Sequence, residues 1–386
     1  MGLLMLKKSL LKIYFYIALI IFSNFLACGK KIQLESYLKN NFKWAMYGQF
    51  PQRKFFIDDT LKLPLKINFK TELKAGLNYS SVTAMDEFLF VGDLKGNVYK
   101  IDLNSGQIKN YNNFKQPILT SIVVNENSLI FPVAASKGRN SFLIVYNLVQ
   151  GMEKSKLAVE GSIEKEILPV NKNIFFTTTN GTIYKVNQEH VFDWKINLES
   201  LIYCHPAVVG EFIVTATIDG TLYFITFTGK IFKEIKLNNR IKSGFCVDGS
   251  RVYFGDEGGV FYCYDKDQEK FVFSKKLDVS INAIPSFDNE SIFIGDLRGN
   301  VFSLNKQTSE VNWKKQLGGL INNSILIIGD KLVVPNFQKK IFILDKYTGK
   351  ILQEIEFEGR VKLSPVYIKN KLILGYDDKK IVALSY

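Results

Sequence analysis

Histidine, cysteine, tryptophan and proline are all scarce in this 386-residue chain: two His, four Cys, three Trp and nine Pro. The two histidines, His190 and His205, are isolated from each other and cannot supply the three or four close ligands of a zinc centre. No Gly-x-Ser-x-Gly elbow occurs, which removes the clearest mark of a serine hydrolase. None of the cysteines forms a CxxC or vicinal pair, and Cys204, Cys246 and Cys263 read as buried small apolar residues, not disulfide partners. Helical 3.6-residue periodicity is missing throughout, so helical solenoids are excluded. Charge of one sign dominates: the formal net charge is +13, carried almost entirely by Lys. These lysines are spread through every turn instead of gathered into a stripe or arm, and the pattern predicts no nucleic-acid partner. Abundant Lys, Asn, Ile and Phe together carry the flavour of an AT-rich coding sequence. What the charge favours is acidic partner surfaces or anionic headgroups.

What is present begins at the N-terminus. Lys7, Lys8 and Lys12 form a basic stretch, Ile13 to Phe22 an uncharged apolar one, and Phe25-Leu26-Ala27-Cys28 closes it. A small residue before a Cys, after a short apolar run, is the pattern of a lipoprotein signal peptide. The run is short for a span of about 20 residues. Residues 1–27 are therefore expected to be cleaved and Cys28 to be the lipidation site, its freed amine and thiol carrying palmitate-type chains that anchor the protein to a membrane. Phe25 departs from the usual Leu at its position. Cleavage removes three Lys and no acid, lowering the formal charge from +13 to +10. Residues 28–60, opening with Gly29-Lys30-Lys31 and containing Phe55-Phe56, read as a lipidated tether and lead-in. Residues 61–386 read as one repeat array.

The repeat is a short apolar run, a Gly/Asp turn, a second apolar run with an aromatic, then Asp or Asn and another turn. Gly92-Asp93, Gly96-Asn97, Tyr99 and Asp102 mark the clearest copy. Gly295-Asp296, Gly299-Asn300 and Phe302 mark a second, and Gly255-Asp256, Gly259 and Tyr262 a third. The turn residue before the third strand falls at Gly96, Ser141, Gly181, Gly220, Gly259, Gly299, Lys339 and Lys379, at intervals of 45, 40, 39, 39, 40, 40 and 40. Alternating five- or six-residue runs broken by Gly, Asn and Asp are strands joined by hairpins. Four strands per 40 residues make a propeller blade. The fold class is thus all-β, an eight-bladed propeller. The eighth unit ends at Tyr386, one strand short, and Leu65–Leu73 resembles the fourth strands of other units, so it is expected to supply the missing strand. Asp93, Asp256 and Asp296 recur at one repeat position, the mark of a carboxylate that accepts turn N–H groups. A calcium loop would need several more oxygens close by. The repeated glycines lie in hairpins and open no helix, so they are not phosphate loops.

These residues resemble the PQQ-like β-propeller repeat superfamily, whose units follow a Gly-x-x-x-Gly-x-Val-Tyr-x-x-Asp theme closed by a Trp. The closing Trp survives here at Trp194 and Trp313. Trp44 to Arg53 is similar to the family's lead-in. A signal peptide of this type followed by one eight-bladed ring most resembles the BamB family, lipoprotein accessories of the outer-membrane β-barrel assembly machine. The resemblance implies a non-enzymatic scaffold on the periplasmic face of the outer membrane. Its partners would be the outer-membrane barrel-assembly protein and its complex, together with nascent outer-membrane proteins. The alternative is a surface or periplasmic propeller lipoprotein that binds another macromolecule or a glycan. The superfamily's quinone enzymes use a vicinal Cys pair, a stacking Trp, a calcium and an Asp base; none is recognisable here, so no cofactor, metal or catalytic residue is expected. In the family a Leu-rich inter-blade loop grips the partner, and the matching stretch contains Leu198, Leu201, Ile202 and Tyr203; the alternative is that Leu198 and Leu201 pack between adjacent blades. The next loop, acidic in the family, is here Arg240-Ile241-Lys242, of opposite sign.

Overall fold

The computed structural model describes residues 31–34, 42–134, 140–277 and 279–386; Cys28 and the signal stretch lie outside the described residues. All regular structure among the described residues is β. Eight antiparallel blades follow one another: blade 1 (83–113), blade 2 (123–160), blade 3 (168–197), blade 4 (207–236), blade 5 (246–276), blade 6 (286–316), blade 7 (326–356) and blade 8 (366–385). The expectation of an all-β, eight-bladed propeller is met.

Burial along each blade explains the sequence pattern. The second and third strands are covered on both sides by neighbouring blades and read as apolar runs: Phe88–Gly92 and Asn97–Asp102 are almost wholly buried. The fourth strand lies at the rim and alternates half-buried with exposed positions, as in Ile108–Asn113 and Ile351–Glu356. The marker residue of the repeat is a left-handed position. Gly96, Gly181, Gly220, Gly259 and Gly299 have φ between 77° and 90°, and Lys339 and Lys379 adopt 66° and 63°. Blade 2 differs. Ser141 sits inside the third strand, Asn140–Asn147, because the connection before it is longer than in the other blades, which is also why the interval there is 45. Asp93, Asp256 and Asp296 are fully buried turn devices. Asp93 Oδ1 accepts the N–H groups of Lys95 and Asn97, both at 2.9 Å, and Oδ2 accepts the Asn97 amide at 2.7 Å.

Ring closure follows the sequence. Lys66–Glu72 pairs antiparallel with the last strand, Lys380–Ser385, placing Lys66 opposite Ser385 and Glu72 opposite Lys380. Blade 8 therefore takes its outer strand from the N-terminal part of the chain. The two ends of the ring are stitched by main-chain bonds within one sheet.

The segment before that strand runs through the hole. Phe42–Trp44 pairs antiparallel with the inner strand of blade 1, and Phe56–Ile57 pairs parallel with that of blade 7. Between them, Ala45 O accepts the Val124 N–H of blade 2, Pro51 O that of Val208 in blade 4, and Gln52 O that of Val247 in blade 5. A short stretch bonded to blades 1, 2, 4, 5 and 7 can lie only on the axis. Trp44, Arg53 and Phe55 are each no more than 1% exposed. The part of residues 28–60 from 42 onward is thus built into the ring.

Candidate interaction face and the filled channel

Antiparallel order within a blade puts the blade-to-blade connections on one face of the ring, together with the turns between second and third strands. This face carries the loops expected to meet a partner. Each connection has the same construction. The residue closing the outer strand donates its N–H to the carbonyl of the left-handed turn residue: Leu198 to Gly181 O at 3.0 Å, Leu237 to Gly220 O at 2.9 Å and Leu317 to Gly299 O at 2.9 Å. Four residues after Leu198 comes a buried wedge, Ile202. Its equivalents Ile118, Ile163, Ile241, Ile281, Ile321 and Val361 are all at most 2% exposed.

The six loop residues singled out by sequence therefore divide. Leu198 and Ile202 are buried, 8% and 0% exposed, and belong to the core between blades 3, 4 and 5. They are repeat-wide packing devices, and an aligned column of Ile and Val one repeat apart was the signal that would have shown it. Leu201, at 42% exposure, stands out from the same loop, with Tyr203 half-buried beside it. Arg240 is exposed in the next connection, and Lys242 is half-buried in an ion pair with Glu257. Leu201 O accepts the Ile218 N–H at 2.7 Å, and Arg240 O accepts the Glu257 N–H at 2.9 Å, so the two loops are held against successive turns. Between them opens a cleft of about 490 Å³ lined by Ile218, Asp219, Asn238, Asn239, Arg240 and Glu257 among others. Lys236, 2.8 Å from Asp219, holds that carboxyl well below the usual carboxylate range. The cleft offers both signs of charge beside an exposed leucine, the make-up of a protein-contact rim.

Sequence reasoning missed a second cluster, at the tip of the lead-in where it meets this face. Arg53 is fully buried. Its guanidinium donates to Pro206 O at 2.9 Å, Tyr47 O at 2.9 Å and Glu166 O at 3.2 Å. The Glu166 carboxylate accepts the Ser121 N–H at 3.0 Å and the Ser121 hydroxyl at 2.9 Å. Tyr47 stacks on His205, with ring centroids 5.4 Å apart, and its hydroxyl meets Ser324 and Ser364 at 3.4 and 3.3 Å. Ser121, Glu166, His205, Ser324 and Ser364 each follow the buried wedge by three residues, so one repeat position forms a ring that grips the lead-in. Burial raises Glu166 to about 7 against the counter-pull of Arg53, and lowers Arg53 to about 10. Burial, then the charges of Lys165 and Arg53, hold His205 neutral, well below its usual value. The only sequence signal was Arg53 itself, one of six arginines in a Lys-rich chain.

The remaining chemistry is sparse. Cys204, Cys246 and Cys263 are buried and unpaired. Among the described residues no group of three or more His, Cys, Asp or Glu is placed to hold a metal ion, and no helix is long and apolar enough to cross a membrane.

Comparison with known proteins places this arrangement. A family model described as outer membrane protein assembly factor BamB, built on PQQ-like repeats, matches residues 218–364. Among solved structures, BamB from Moraxella catarrhalis is similar at 14% identity with a TM-score of 0.72, over 84% of this chain and 100% of that one. A computationally designed protein, Ika8, is similar at 14% identity and a TM-score of 0.71, over 82% and 99%. Quinohemoprotein alcohol dehydrogenase from Comamonas testosteroni is similar at 9% identity and a TM-score of 0.74, over 88% and 80%. At these identities the likeness to the three extends to the fold alone. No curated protein matches the sequence.

Proposed function

We propose that this protein is a non-enzymatic lipoprotein scaffold, anchored through Cys28 to the periplasmic side of the outer membrane. It assists assembly and insertion of outer-membrane β-barrel proteins by presenting its inter-blade loops to the barrel-assembly protein. The observation that carries the reading is the BamB family match over 218–364, which spans blades 5, 6 and 7, the outer two strands of blade 4 and the Arg240 loop. The ring supplies rigidity, and exposed Leu201 with Arg240 beside the blade 4–blade 5 cleft supplies contact chemistry. Exposed apolar side chains set among polar ones are the usual anchors of such interfaces. Quinone chemistry fits poorly with these residues. The axis is filled by Trp44, Tyr47, Arg53 and Phe55, and the three described cysteines are buried apart from any metal-ligating cluster.

Photo-crosslinking from positions 201 and 240 in living cells tests the reading. Capture of the barrel-assembly protein from both is the expected result. Adducts to unrelated proteins alone, or none from a fully expressed and folded protein, would overturn it. The rival, an outward-displayed or periplasmic lipoprotein binding another macromolecule or glycan, draws support from the basic Arg240 loop where the family is acidic. Protease shaving of whole cells separates display outside from a periplasmic position.

A further inference from the structure

We infer that the rim between blades 1 and 2 is the surface held against the membrane, facing anionic lipid headgroups. The inference rests on the acylation of Cys28 in the reading above.

The first described residues lie in the ring itself. Leu34 N–H donates to Leu148 O at 2.9 Å in blade 2, and Ile32 N–H to Asn112 Oδ1 at 3.2 Å in blade 1. The Tyr146 hydroxyl donates to Ile32 O at 3.0 Å, and the Asn110 amide to Lys31 O at 3.0 Å. Ile32 and Leu34 are 1% and 6% exposed, packed in the core that blades 1 and 2 share. Asn110 and Asn112 lie on the outer strand of blade 1, Ile108–Asn113. Lys31 therefore sits at the outer rim, away from both loop faces.

Only Gly29 and Lys30 separate Lys31 from Cys28. Three residues span at most about 10 Å whatever path they take. A long tether would let the ring adopt any orientation; this one does not. The same rim exposes Lys31, Lys109, Lys154 and Lys156, with Met152 at 52% exposure; Glu153 and Glu160 are exposed acids on the outer strand of blade 2, and Lys109 lies 3.6 Å from Asp102. Charges so close to the surface lie near the screening length of about 8 Å at physiological ionic strength, and lysines there are drawn to anionic lipid. Leu201 and Arg240 are carried by the blade 3–blade 4 and blade 4–blade 5 connections, well round the ring, where water and a partner can reach them.

The test uses the acylated mature protein in vesicles of phosphatidylethanolamine and phosphatidylglycerol that carry a headgroup quencher. Single fluorophores are placed through Lys109→Cys, Lys154→Cys, Arg240→Cys and Lys314→Cys; the native cysteines beyond Cys28 are buried. Several-fold stronger quenching at 109 and 154 than at 240 and 314 is expected. Equal quenching at all four, or stronger quenching at 314, would overturn the inference. Inserting about six Gly/Ser residues between Lys30 and Lys31 adds roughly 20 Å of reach and should erase the difference while acylation and fold persist. In phosphatidylcholine vesicles the difference should shrink; if it does not, the headgroup part of the inference fails. Absence of acyl mass on Cys28 would instead sink the parent reading, so the two failures are distinguishable.

Discussion

Lys339 and Lys379 hold the left-handed conformation that glycine holds in five other blades. A Cβ there costs roughly 1–2 kcal/mol, and glycine's greater loss of chain entropy offsets about 0.5–1 kcal/mol of it. Lys339→Gly and Lys379→Gly should therefore each stabilise by up to about 1 kcal/mol, read as a higher denaturant midpoint at unchanged slope. Gly299→Ala should destabilise by about 2 kcal/mol or more, because its Cβ would collide with the backbone of Gly318 and Gly319. The channel cluster adds a pH dependence of two signs. Burial raises Glu166 from an ordinary value of 4.5 to about 7 in the fold. The folded state keeps a proton that the unfolded chain releases, so this contribution is full below 4.5 and lost as pH rises through about 7. His205 titrates well below 6.5 in the fold, so its contribution is full above 6.5 and lost as pH falls. Each amounts to one proton, about 1.4 kcal/mol per pH unit, and between 4.5 and 6.5 they oppose. Glu166→Gln should leave stability rising with pH across that window, and His205→Asn should leave it falling. Denaturant midpoints measured across the window read both slopes, and slopes of the same sign in the two variants would contradict the assignment.

Blades are joined by an aromatic of one outer strand seated on a glycine turn of the next blade. Trp194 Nε1 donates to Phe227 O at 3.1 Å over Gly229, and Trp313 Nε1 to Lys346 O at 3.0 Å over Gly349. Phe69 of the closing strand sits on Gly106 of blade 1 in the same way. Trp313→Phe should cost about 1 kcal/mol for the lost hydrogen bond. Trp313→Ala should cost about 3 kcal/mol, with hydrogen exchange quickening first in blades 6 and 7. Much of this was legible in the sequence, because hairpin turns, strand alternation and the surviving Trp all repeat, and even the closing strand shows itself by likeness to its equivalents. Two things were not. The path of Trp44 to Ile57 could not be read, since a segment that occurs once has no period. Packing of Leu198 between blades was one of the two readings its sequence allowed, but the burial of Ile202 was obscured because a Leu-rich loop viewed singly looks like a surface feature. Only comparison down the repeat shows Ile118, Ile163, Ile202, Ile241, Ile281 and Ile321 as one wedge.

For the whole molecule, closure and filling come from the same stretch of chain. Residues 42–57 fill the axis and 66–72 complete blade 8, so N-terminal truncations separate the two contributions. A chain starting at 42 keeps both, losing only the Ile32 and Leu34 contacts to blades 1 and 2, and should stay monomeric with a modestly lower midpoint. One starting at 61 keeps the closing strand but loses Trp44, Tyr47, Arg53 and Phe55 from the core. Each buried aromatic contributes about 1.5–3 kcal/mol, and the ordering entropy of the lost segment offsets part of that. A closed monomer with a markedly lower midpoint is expected. A chain starting at 75 also strips the partner from Lys380–Ser385. Ile381, Val382, Ala383 and Leu384 are fully buried there, and their strand would become an apolar, unpaired edge. Such an edge recruits strands from other chains, so this variant should dimerise or aggregate where the 61 variant does not. Light scattering after size exclusion decides it. A monomeric 75 variant with the midpoint of the 61 variant would mean that the ring holds without its closing strand, and that the sheet shared by the two ends contributes little to keeping it shut.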